Sequence, residues 1–100
     1  MMYFRIHENA QGRVVAVCDA NLLGRVIEDK SGACMDLERY RGFYMGSKAG
    51  PAEVEEALRS FDSANIVGKE AVSVALKMGL AGKSDVMYIK RTPYIQIYRL

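Results

Sequence analysis

Residues 50–79, GPAEVEEALRSFDSANIVGKEAVSVALKMG, decide the fold. Pro51 suits the first position of a helix, because the N–H it lacks is one the helix leaves unbonded anyway. Glu53, Glu55 and Glu56 put negative charge at the positive end of the helix dipole. Val54, Leu58 and Phe61 recur on one helical face, which predicts a helix from Pro51 to about Phe61. Asp62 and Ser63 end it and cap a second helix, which begins near Asn65 or Gly68 and stops at Gly79. Ala71, Val72, Val74, Ala75, Leu76 and Met78 leave that second helix little polar surface. Such a helix belongs against a sheet.

Working outward, Ser47-Lys48-Ala49-Gly50 is the clearest break in the chain. Before it, residues 2–7 alternate Met2, Phe4 and Ile6 with Tyr3, Arg5 and His7, the period of a half-buried strand. Turn residues 8–12 lead into a β-branched strand over residues 13–18, so the opening is a hairpin. Residues 25–29 and 34–38 read as short strands, and residues 39–46 as an edge strand or ordered loop. After the helices, strands at 86–89 and 94–98 are joined by Lys90-Arg91-Thr92-Pro93. Pro93 pushes Thr92 toward extended geometry. The class is α+β: a single domain over residues 1–100, mainly antiparallel, with two packed helices between N-terminal and C-terminal strands.

Composition excludes several classes. Half the residues are hydrophobic and 26% are charged, as in an ordinary folded domain. A net charge of +2 permits an anionic partner without demanding one. No apolar run approaches the roughly 20 residues that span a bilayer, and no export signal opens the chain. Cys18 and Cys34 make no disulfide framework. The expectation is a cytoplasmic protein without a membrane partner.

A six-residue phrase occurs twice. Ala20-Asn21-Leu22-Leu23-Gly24-Arg25 is echoed by Ala64-Asn65-Ile66-Val67-Gly68-Lys69, with Asp19 and Asp62 ahead of each. Asparagine and glycine tolerate left-handed backbone, and turns of that kind aim N–H groups outward beside the following cation. If Gly68 opens the second helix, free amides and Lys69 would attract an anion there. The plainer alternative is a tight inter-helix corner, and Glu70 already brings a negative charge to the spot. Gly68-Lys69-Glu70 lacks the spacing of a P-loop.

The last strand puts Tyr94, Gln96 and Tyr98 on one face, with Tyr88, Lys90 and Arg91 close by along the hairpin. Aromatics among cations suit stacked bases of single-stranded RNA, while a half-buried sheet with wet tyrosine hydroxyls is the alternative. Enzymatic signals are weaker: His7, Cys18 and Asp19 form no local signature, and no paired spacing supports a metal. No catalytic residue, metal ligand or cofactor is assigned.

The blocks Cys18-Asp19-x-x-Leu22-Leu23-Gly24-Arg25, Phe43-Tyr44-x-Gly46 and Asn65-x-Val67-Gly68 with Ala71-Val72 resemble the archaeal domain of unknown function 424 family. The resemblance covers nearly the whole chain. That family usually carries Pro-His-Ala-Gln near its C-terminus; here Pro93 and Gln96 are kept, with Tyr94 and Ile95 between them. The resemblance implies an archaeal cytoplasmic protein without an established activity. The expected function is a non-enzymatic binding module for RNA or a ribonucleoprotein, through Gly24, Arg25, Asn65, Gly68, Lys69, Lys90, Arg91, Tyr94, Gln96 and Tyr98. The alternative is a protein-interaction module or homodimer, using the apolar segment Phe43-Tyr44-Met45.

Overall fold

Strand β1 (Met2–Asn9) turns into β2 (Gly12–Asp19), and the two pair antiparallel from Met2 opposite Asp19 to Asn9 opposite Gly12. The computed structural model describes residues 1–99; Leu100 lies outside them. After β2 the chain makes a small separate hairpin of β3 (Val26–Glu28) and β4 (Cys34–Asp36), then a single helical turn, α1 (Arg41–Tyr44). It returns through β5 (Ser47–Ala49), α2 (Pro51–Ala57), β6 (Ser63–Val67), α3 (Lys69–Lys77) and a short 3-10 turn, and ends in β7 (Met87–Ile89) and β8 (Thr92–Tyr98).

The six-stranded sheet has the order β5-β1-β2-β6-β8-β7. Every neighbour is antiparallel except β2 and β6, which run parallel in register from Val14 opposite Ser63 to Cys18 opposite Val67. A parallel pair needs a crossover connection, and α2 lies within it.

Strand β6 corrects the expectation for the second phrase. Residues 64–67 were read as the mouth of a helix, but they form a strand in the middle of the sheet. Ala64, Ile66 and Val67 are buried there between β2 and β8, and the polar–apolar alternation of Ser63-Ala64-Asn65-Ile66 is too short to tell strand from helix beside Gly68. The chain thus interleaves strands and helices rather than grouping the helices. Two smaller corrections follow. Residues 41–44 are helical rather than an edge strand, and the break at 47–49 is an edge strand paired with β1.

Helices α2 and α3 cover one face of the sheet. Val54, Leu58 and Phe61 meet Val15, Val17, Ile66 and Ile95, as the predicted helical face requires. The β3–β4 hairpin and α1 lie on the other face, where Leu22, Ile27, Met35, Leu37 and Tyr44 pack on Ala16, Cys18 and Val67. Strand β2 is therefore buried on both sides from Val15 to Asp19.

Each end of the parallel pair is fixed by an aspartate seated on a glycine. At the amino ends, Asp62 Oδ2 accepts the Arg13 N–H at 2.7 Å, and a side chain on Gly12 would run into that carboxylate. At the carboxyl ends, Asp19 accepts the N–H groups of Glu70 at 3.0 Å and Ala71 at 2.8 Å. Gly68, at φ 107°, lies directly beneath Asp19. The two aspartates that precede the echoed phrases thus belong to the sheet's framework.

Candidate functional site

Where β2 and β6 end side by side, a cavity of about 640 Å³ opens at the carboxyl ends of these central strands. The turn after β2 contributes Asn21 and Arg25, the start of α3 contributes Lys69, and the β7–β8 turn contributes Lys90 and Arg91. Cations far apart in sequence therefore surround one space, all exposed. Asp19 lies in the wall, only 7% exposed, with its carboxylate committed to the amides of α3. Burial pushes that carboxyl above its ordinary value, against the pull of the two amide hydrogen bonds. Glu70 is paired with the Met1 amine at 3.0 Å. The acidic groups are occupied, and the basic ones are left facing solvent.

This geometry changes the sequence-based picture of how an anion would be held. The expected free amides at the start of α3 are already capped by Asp19, so side chains rather than backbone carry the positive potential. The Gly24 N–H is likewise spent on the Leu37 carbonyl at 3.0 Å.

The β7–β8 turn is strained where it faces this cavity. Ile89 pairs with Thr92, leaving a two-residue loop whose residues, Lys90 at φ 48° and Arg91 at φ 70°, both have positive φ. Tight hairpins of that shape favour Asn-Gly. Two long cations sit there instead, each at a cost of about 1–2 kcal/mol. Strain kept at a surface turn marks a candidate functional position.

A second concavity, of about 440 Å³, shares Lys69, Arg91 and Pro93 with the first and adds Lys83 and Tyr88. Tyr88 is 65% exposed. It is the aromatic beside the cations, next to Lys83 and Arg91 as its place on the hairpin predicts. Tyr94 and Gln96 instead line a different cleft on the opposite face, together with Asn65. Tyr98, 70% exposed, lies with Asp62 and Arg99 at the far end of the sheet. The alternation in β8 was read correctly, but the face it selects looks away from α3. Tyr88 stood in the sequence as part of a strand next to basic residues, the one signal that pointed to it.

The sequence matches the family described as protein of unknown function (DUF424) over residues 6–100. The chain belongs to that family. It is similar to the crystal structure of an uncharacterized conserved protein from Methanopyrus kandleri, at 28% identity and a TM-score of 0.80, over 99% of this chain and 91% of that one. No curated protein matches it.

His7, Cys18 and Asp19 do not converge. His7 is opposite Val14 and Cys18 is opposite Tyr3, at different ends of the β1–β2 ladder. The His7 Nε2 lies 2.8 Å from the Phe43 carbonyl. Burial, helped by the Asp19 carboxylate, pushes the Cys18 thiol up to about 12, which suits a packed side chain and not a nucleophile. No group of three or more metal-ligating side chains occurs among the described residues. No helix among them is long and apolar enough to cross a membrane.

Proposed function

We propose that this protein is a non-enzymatic binding module for RNA or a ribonucleoprotein, and that the cavity ringed by Arg25, Lys69, Lys90 and Arg91 receives backbone phosphates. The observation that carries this reading is the convergence of those cations on one space while the nearby carboxylates of Asp19 and Glu70 are engaged elsewhere. Tyr88, exposed between Lys83 and Arg91, offers a ring on which an unpaired base stacks. Free Cys18 and Cys34 fit a reducing, cytoplasmic setting, and the Methanopyrus relative fits an archaeal source.

Filter binding with a random single-stranded RNA pool tests the proposal. Log affinity should fall with log salt at a slope of about −0.7 per phosphate neutralised, near −3 for contacts to all the named cations. The variant Lys90→Glu with Arg91→Glu should flatten that slope and weaken binding. No binding at low salt, or the same binding and slope in the variant, would remove the proposal.

The alternative, a protein-interaction surface built on Phe43-Tyr44-Met45, has less support. Phe43 stacks on His7 with ring centroids 4.7 Å apart, and Tyr44 is buried. Met45 alone of the three is well exposed.

A further inference from the structure

Helix α1 packs on β1 and β2, and between it, strand β4 and the strands β6 and β8 lies a cleft of about 410 Å³. That volume lies within the range of about 300–1,000 Å³ typical of small-ligand sites. On its floor Asn65 and Gln96 stand directly opposite each other across the β6–β8 ladder. Asn65 is half-buried and Gln96 is exposed, so neither carboxamide is sealed in the core. Tyr94 flanks the pair, and Tyr40 and Phe43 line the cleft with them.

Two carboxamides side by side bring two donor amino groups and two acceptor oxygens to one place. The edge of a nucleobase carries donors and acceptors too, and asparagine and glutamine pair with it bidentately. Aromatic walls supply the stacking that splayed, unpaired bases use. The cleft also adjoins the basic cavity through the backbone, since Ile89 and Tyr94 line the cleft while Lys90 and Pro93 line the cavity.

We infer that this cleft is a nucleobase-binding site in which Asn65 and Gln96 read the base edge. The assignment extends the proposed function from charge to base, and it rests on that reading only for where the attached phosphate goes. It requires no backbone phosphate, so it can be tested without one.

The four uncharged ribonucleosides, titrated one at a time to millimolar concentration, serve as probes by amide NMR. At least one should shift the signals of Asn65, Tyr94 and Gln96. Asn65→Ala and Gln96→Ala should each weaken that nucleoside about fivefold, the effect of one neutral hydrogen bond. Lys90→Glu with Arg91→Glu should leave nucleoside binding unchanged, although it weakens RNA. The inference is overturned if no nucleoside moves these signals, or if both amide variants bind the nucleoside as the wild type does. RNA binding that fails while a nucleoside binds would remove the phosphate proposal and keep this one.

Discussion

Replacing Gly68 by alanine puts the framework around the candidate site to a direct test. Gly68 has φ 107° and ψ 159°, a conformation that is essentially reserved for glycine. Forcing an L side chain into it costs about 1–3 kcal/mol. The new methyl would also stand 2.7 Å from Asp19 Cβ, well inside contact distance. Asp19 has little room to yield, being buried and bonded to two amides of α3. Displacing it forfeits a helix cap worth about 1 kcal/mol. Together these give a loss of about 2–4 kcal/mol, or a fall of about 10–25 °C in thermal midpoint for a domain of this size. Thermal and urea unfolding followed by circular dichroism measure it. In an Asp19→Gly background no side chain remains to clash, so Gly68→Ala should cost only its backbone part. The double variant should then lose about 1–2 kcal/mol less than the sum of the singles. Strict additivity within about 0.5 kcal/mol would refute the proposed contact between Asp19 and Gly68.

Other expectations follow from the same geometry. Lys90→Asn with Arg91→Gly relieves the strained turn and should raise stability by about 1–3 kcal/mol while weakening RNA binding; a variant that loses stability argues against the strain. Burial raises the Asp19 carboxyl above 3.8, so the folded protein holds that proton more tightly than the unfolded chain. Its contribution to stability is full below that value and is lost as pH rises through the raised one. Urea melts should therefore show the wild type losing ground to Asp19→Asn from acid toward neutral pH; the opposite trend would mean the amide hydrogen bonds outweigh burial. At pH 8 a thiol reagent should modify exposed Cys34 in the native protein and reach Cys18 only in denaturant. Fast labelling that persists in Cys34→Ser would contradict this.

Much of the fold was legible because its signals are local. The first hairpin shows through alternation, α2 through Pro51 and its glutamates, and α3 through an apolar run bounded by Gly68 and Gly79. Strand β6 is hidden because its alternation spans only five residues, so neighbours in space, not in sequence, decide its conformation. The echoed phrase shows the same thing: similar letters make an exposed turn after β2 and a buried strand in β6. The site was half legible. Arg25, Lys69, Lys90 and Arg91 stood out as cations beside turns, and only the parallel junction brings them to one cavity. Whether the tyrosines join it is not legible, because alternation gives two faces of a strand but not which one meets α3.

The aspartate–glycine contacts at both ends of β2 and β6 also bear on how the chain reaches its native state. Val14 meets Ser63 only after the whole intervening segment has closed as a loop, an entropic toll that local hairpins avoid. A one-residue slide of β6 would lift both carboxylates off their glycines and turn Ile66 away from the core, so the misaligned zipper has no resting place. We expect this closure to be the kinetic bottleneck, with Ile66→Val slowing refolding in stopped-flow chevrons; a variant that only speeds unfolding would place the junction after the barrier. Aligned at both ends, the central seam assembles in one register or not at all.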